Sequence, residues 1–454
     1  MKKFTKIFVC LLLCVFGLSL MACKDNRTPA EKAFTYPKSS DLVTGNGGMA
    51  VQKGNYLYYV NGYKTVDSEE HTQDATYTHG ALMLMKLNND GSIVTDENGL
   101  LKDDYYITMS NRLCGFNATS LYIAGDYLYF TSPSKENTTE DSVDPVWAKD
   151  YIEFYRIKLD KTSSPERIYQ ADVLYSDVKF EYYSNGSNVY ILVYEKGETL
   201  EKDSDKNNAL VRVTGSGDVE LIANNVAETG YVFAENSNEI FYVKEDESQF
   251  KLYQYDIVNN SSTYYKKAED AAFDVNYVSG GNVYVTVDGD LQVSSIASQS
   301  GFVTACLATS DYDKVIVDNG IVIAVWDNTF NFFADDLKIS KTITDSEATE
   351  ITVIGCVNGS IVYRTNDNKI KMFSYSNYLA GYSAELVTLA TVEGLDTGYF
   401  DLQEDYVYFY KTVGSHTYLH RLKVANHFDE TEEMVGVYLE ADTPKVETEE
   451  TEEE

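Results

Sequence analysis

Five histidines, six cysteines and 71 acidic residues are the groups of this 454-residue chain best suited to chemistry. His416, His420 and His427 have the residue type of a metal set. His416 and His420, however, fall on or beside an alternating strand pattern, TYLHRLKV. At about 3.4 Å per residue, four positions put them about 13 Å apart, too far for one ion, so they are read as surface-strand residues. KLNNDGSIVTDE (86–97) puts Asn88, Asp90, Gly91 and Glu97 at the third, fifth, sixth and twelfth places of a calcium loop. Lys86 stands where the first carboxylate should be, and Asp90-Gly91 between apolar runs reads better as a hairpin turn. No G-x-S-x-G elbow follows the N-terminal segment; Gly215-Ser216-Gly217-Asp218 joins two strand patterns and is a turn. There is no Walker loop, H-E-x-x-H or dinucleotide fingerprint. With 71 acids, some pair falls at a hydrolytic spacing by chance, and sequence does not select it. No catalytic residue, metal or cofactor is therefore assigned.

The cysteines point to a compartment. Cys10, Cys14 and Cys23 lie in or at the end of an N-terminal segment with Lys2, Lys3 and Lys6 before an uncharged run from Ile7 to Leu20. That run fits a secretory signal and is short for a membrane span. It ends in Leu20-Met21-Ala22-Cys23, which resembles the lipobox of bacterial lipoproteins, with Met21 as the departure. The resemblance implies cleavage before Cys23 and a diacylglycerol on its sulfur, a membrane anchor once two or more chains are attached. The plainer alternative is an ordinary secretory signal with a chance cysteine. Cys114, Cys306 and Cys356 are too scattered for a disulfide framework and contain no C-x-x-C pair. Cys306 and Cys356 read as buried strand thiols, with one chance pairing open.

Charge narrows the partners. The chain has 37 Lys and Arg against 71 Asp and Glu, a net −34. Such a surface is soluble and is repelled by nucleic acid and by anionic lipid heads, so no nucleic-acid role is expected. Divalent cations or basic partners would be favoured, although acidity that merely keeps an exported protein dispersed is the simpler account.

These groups must be positioned by strands. Tyr outnumbers Phe 38 to 20, and Tyr suits strands that bury a ring while keeping a hydroxyl at the rim. An aromatic strand recurs eight times, centred on Tyr58, Tyr129, Tyr190, Phe241, Tyr284, Val322, Val362 and Tyr408. Most copies follow a turn pair such as Gly54-Asn55, Gly125-Asp126 or Asn319-Gly320, residues that tolerate the positive φ of tight hairpins. The spacing falls from 71 to 38 residues and then returns to 46, against roughly 40–50 for a propeller blade. SLYIA, YLYFTS, EFYRIKL and PERIYQ make a four-strand unit around the second copy. The prediction is an all-β chain: a β-propeller of four-stranded antiparallel blades over 47–440. Eight blades is the count; seven is the alternative if the opening stretch and the last unit share one blade. Residues 1–22 are the signal, 23–46 a tether, and 441–454 an acidic tail too polar to pack.

With its turn followed by [Leu/Ile/Val]-Tyr-[Phe/Tyr], the chain resembles bacterial cell-surface lipoproteins built on a β-propeller of Tyr-rich blades. The resemblance covers roughly residues 48–440 and lacks the marks of WD40 and sialidase-like propellers. It implies display at the cell membrane, facing outside the cytoplasm. The first three units lengthen one connection, at 63–79, 132–150 and 195–208. In a propeller these loops share a face, and loops on a rigid scaffold commonly bind. His71, Tyr77, His79 and Trp147 are the candidate ligand-binding side chains there; mobile acidic ornament is the plainer reading. The expected function is non-catalytic binding or scaffolding of an envelope polymer, peptide or protein. An extracytoplasmic hydrolase acting on a glycan or peptide is the alternative, and it would need acids converging at the channel mouth. Trp326 is expected in the core or at a strand rim.

Overall fold

A computed structural model describes residues 35–60, 82–94, 105–106, 120–133, 151–174, 178–197, 208–234, 237–298, 301–334, 337–413, 416–424 and 432–435. They form eight antiparallel sheets, each built from strands consecutive in the chain and ordered in space as in sequence. Blades I to VIII span 43–106, 122–174, 178–223, 226–269, 274–306, 314–344, 351–391 and 395–434. Together they are the eight four-stranded blades of a β-propeller. Strands within each blade are called a to d in chain order. In blade I these are Ala50–Lys53, Tyr56–Val60, Leu82–Lys86 and Tyr105–Tyr106, and a further pair of residues, Val43–Thr44, hydrogen-bonds along strand a. The first bonds of the ring thus fall within the segment expected to be a tether. Among the described residues the only α-helix is Tyr375–Leu379, between strands c and d of blade VII.

All eight repeat centres lie on strand b and are buried. Strands a meet one another around the axis: Val226–Phe233 of blade IV contacts Asp274–Ser279 of blade V, and Gly48 bridges to Leu121. A blade has two apolar faces and cannot bury both alone. Eight apolar clusters answer this, each drawn from two successive blades. The cluster of Met49, Leu57, Tyr59 and Met83 with Tyr408, Tyr410 and Leu419 joins blade I to blade VIII. Among the described residues no blade mixes strands from both ends of the chain; they make eight blades, and the seam closes through side chains.

Polar links cross the same joints. The Tyr231 hydroxyl donates to the Leu192 carbonyl (3.2 Å), Tyr265 to Ser295 (3.0 Å) and Tyr378 to Thr342 (2.7 Å). Three joints share an arginine clamp. Arg156, Arg212 and Arg421 lie on strand c, each directly opposite an acid on strand d: Glu166, Glu220 and Glu433. Each stacks over a strand-b tyrosine, Tyr127, Tyr190 or Tyr406, at 4.9, 5.2 and 4.1 Å from the ring centroid. Each then donates to a carbonyl just past strand c of the next blade: Gly215, Ile257 and, across the seam, Gly91. At the seam Asp401 accepts from the Met49 amide (2.8 Å), and Gln403 donates to the Ala50 carbonyl (2.8 Å). A Cβ at Gly48 would sit 2.2 Å from Asp401 Oδ2, so a larger residue there would have to displace that carboxylate.

Burial decides what each clamp is worth. Arg421 is 0 % exposed, and its removal strands Glu433 beside an apolar joint. Arg421→Ala should cost about 3 kcal/mol or more, whereas Arg156→Ala, whose partner Glu166 is largely solvated, should cost about 1 kcal/mol; urea unfolding midpoints of the two variants check the order. The tyrosines predict a second behaviour. Burial lifts the phenols of Tyr194, Tyr255 and Tyr408 from an ordinary 10 to about 12. The folded state therefore holds them protonated. Their contribution is fully present below pH 10 and is lost as pH rises through about 12. Phenolate absorbance and loss of fold should rise together in that window, in one cooperative alkaline transition.

Candidate functional site

The strand order fixes two faces. Turns a–b and c–d lie on one. Connections b–c, and the crossovers from d to the next a, lie on the other, the loop face. On blades IV, V and VI the b–c connections are two-residue turns, Glu247-Ser248, Asp288-Gly289 and Asp327-Asn328. On blades I to III they leave strand b at Val60, Pro133 and Glu195 and rejoin strand c at Leu82, Tyr151 and Ala209. Three consecutive blades therefore carry long connections on one side of one face. His71, Tyr77, His79 and Trp147 belong to those connections and lie outside the described residues, as does Cys23.

Charged and polar side chains are buried in the blades beneath these connections. Glu153 accepts from Arg167 (2.6 Å) and from the Tyr155 hydroxyl (2.6 Å), and Glu195 accepts from Tyr169 (2.7 Å). Similar groups occur elsewhere on the ring, so they do not mark the crescent by themselves. Lys371 pairs with buried Asp345 at 2.8 Å. Lys411 and His420 both meet Glu432, at 2.9 and 2.8 Å. Burial pushes the Glu432 carboxyl up, but His420 and Lys411 beside it outweigh this and hold it below its ordinary value.

His420 corrects the sequence expectation. It is a strand residue but not a surface one: it is 3 % exposed and stacks on Phe409. Its register opposite Phe409 turns it into the joint between blades VII and VIII. Among the described residues no group of three His, Cys, Asp or Glu side chains could hold a metal. Asp90 is engaged in its own turn, accepting from the Ser92 amide and hydroxyl (3.0 and 2.7 Å), and Gly215 to Asp218 join two strands. Cys306 is buried and Cys356 half-buried, and both are free thiols. Trp326 stands at the loop-face end of strand b of blade VI, 59 % exposed.

On the opposite face an open pocket of about 370 Å³ lies between blades II and III, lined by Tyr129, Arg156, Asn188, Tyr190 and Ser216. Arg156 is already committed there to Glu166 and the Gly215 carbonyl. The pocket is a gap in the clamp with no free charge of its own.

The channel mouth on the loop face is more distinctive. Strand a of blade IV pairs Val226 with Lys244 and then Tyr231 with Tyr242, so four residues oppose the single Val243. Strand a of blade VIII does the same: Leu395 pairs with Lys411 and Phe400 with Phe409, leaving four residues opposite Tyr410. The two segments are alike in sequence: Glu228-Thr229-Gly230 lies in the first bulge with Tyr231 just past it, and Asp396-Thr397-Gly398-Tyr399 lies in the second. Such bulges bend a strand and re-aim its side chains. Lys179 of blade III braces the first bulge, donating to the Tyr231 carbonyl (2.5 Å) and the Thr229 carbonyl (3.4 Å), and lies 4.7 Å over the Tyr231 ring. Glu181, two residues along the same strand, has its carboxyl raised by burial, against the pull of Lys179. Sequence reading passed over these acids because they sit inside strand patterns. The repeated acid-Thr-Gly-Tyr was the available signal.

No family model matches the sequence, and no curated protein matches it. Solved structures resemble it in architecture. One from a study of two prolyl endopeptidases has 11 % identity over 84 % of this chain and a TM-score of 0.45; this chain spans 57 % of its length. The β-propeller domain of the Trilobed protease from Pyrococcus furiosus has 8 % identity over 70 % of this chain and 97 % of its own, with a TM-score of 0.43. The Neurospora crassa Pan2 WD40 domain has 10 % identity over 67 % and 88 %, with a TM-score of 0.38. At these values the likenesses carry no functional argument.

The bulge of blade IV depends on Gly230, whose φ is +73° and whose Cβ would meet the Tyr194 ring at 3.1 Å. Gly230→Ala should lower stability by about 1–2 kcal/mol from the left-handed backbone alone, with the ring contact adding to it. Alanine at Gly289, also at positive φ but in open space, is the control for crowding. Thermal unfolding of the two variants should show the larger loss at Gly230.

Proposed function

We propose that this chain is a lipid-anchored extracytoplasmic propeller that binds an envelope polymer, peptide or protein without transforming it. One observation carries the binding role: long b–c connections on three consecutive blades share a side of one face, over a closed ring that holds their ends fixed. The anchor rests on Leu20-Met21-Ala22-Cys23. The second reading, a hydrolase of a glycan or peptide, has support in Glu181, Glu228 and Asp274 on the innermost strands near the loop face. Against it, Glu228 is 78 % exposed and ion-paired with Lys196, a setting for charge recognition more than for a tuned acid.

Replacing the connections at 61–81, 134–150 and 198–207 by Asn-Gly turns should keep the ring and abolish capture of envelope partners in pull-downs. Identical partner sets from intact and shortened protein would refute the loop-face role. Cys23→Ala should move the protein from the membrane fraction to the soluble fraction. Turnover of any envelope glycan or peptide by the purified protein would favour the hydrolase.

A further inference from the structure

One group of side chains is left over from the architecture. Tyr194, on strand b of blade III, is 3 % exposed, and its hydroxyl has no hydrogen-bond partner among the described residues. A buried, unpaired hydroxyl costs stability without a structural return. The hydroxyls of Tyr231, Tyr265 and Tyr378 each reach a carbonyl of a neighbouring blade; this one does not. Its ring lies against Gly230, so the side chain runs along the blade IV bulge. Two more buried polar atoms without partners belong to the same end of the III–IV joint: Thr229 Oγ1, within the bulge, and Asn224 Oδ1, in the crossover that leads to it.

The carboxylates there stand apart from the rest of the acidic surface. Glu228 leaves the bulge beside Thr229, and Asp274 opens strand a of blade V, whose innermost strand packs on that of blade IV. Both acids act on the Tyr194 phenol: burial raises it most, and the negative charges of Glu228 and then Asp274 raise it further, up to about 12. The phenol is thus a neutral, unpartnered donor whose ring lies against the bulge that carries Glu228. Lys196 stands 3.8 Å from Glu228 in an exposed ion pair, and a ligand cation could displace it at small cost. Lys179 is committed to the bulge carbonyls. No three metal-ligating side chains converge among the described residues, so an organic cation fits better than a metal ion.

We propose that the loop-face ends of blades III, IV and V form a binding site for a protonated primary amine, with Glu228 and Asp274 accepting from the ammonium and the Tyr194 hydroxyl donating to an adjacent oxygen of the ligand. The site is independent of the lipid anchor. An amine flanked by an oxygen occurs in amino sugars and in peptides, and the test separates the two sources.

The full-length chain is titrated calorimetrically with a glucosamine tetramer and with a lysine tetrapeptide, each beside its fully N-acetylated form. At least one amine form should bind, and its acetylated form should not. Glu228→Gln and Asp274→Asn should each weaken binding by about tenfold or more. Tyr194→Phe should also weaken it while leaving the melting temperature unchanged or higher, since it removes an unpaired buried hydroxyl; a structural tyrosine would give the reverse. Glu247→Gln, an exposed acid on the b–c turn of blade IV, should change nothing. Equal binding of acetylated and free amines, or no binding by either, overturns the proposal. So does a loss at Glu247→Gln as large as at Glu228→Gln, because general acidity would then suffice. Should Tyr194→Phe fail to fold, the exposed Glu228 still decides.

Discussion

The ring stands or falls at the joint between its last blade and its first. Among the described residues every blade uses strands from one continuous stretch, and no strand from one end of the chain completes a sheet at the other. What closes the circle is a packed cluster of Met, Leu and Tyr, a buried arginine that reaches Gly91, and a carboxylate that takes the Met49 amide. A backbone amide buried at a seam needs such a partner. Asp401 supplies it although burial raises its carboxyl, against the hydrogen bonds that Gln403 and Met49 give it.

The abundance of tyrosine follows from the same requirement. A joint between two sheets is apolar in the middle and exposes carbonyls of turns and strand ends at its margins. Phenylalanine fills the middle and leaves those carbonyls to water. Tyrosine fills it and donates to one of them, as Tyr265 and Tyr378 do. The arginine clamps extend this logic. A guanidinium is planar, stacks on the ring beside it, pairs with the acid across the strand and still has a donor left for the neighbouring blade.

Much of this was legible in the sequence. The eight aromatic centres, their Gly and Asn turns and the lengthened connections each fell where the strand pattern put them, because alternation and turn chemistry are local. The fate of particular side chains was not local. His420 reads as a surface histidine until its register opposite Phe409 turns it into a joint. Arg421 and Glu433 are twelve residues apart, and only pairing brings them together. The acids at the channel mouth were hidden for a related reason: a bulge resets the alternation, so counting by twos through Ala227 to Gly230 assigns the wrong face.

The unstitched seam has one more consequence. Among the described residues the seam, like the other joints, is packed from two whole blades and shares no strand across it. The chain could be opened between any two blades and its sequence permuted accordingly, with the same circle of neighbours restored. What the fold specifies is the cyclic order of the blades, and where the polypeptide enters that cycle is a separate choice.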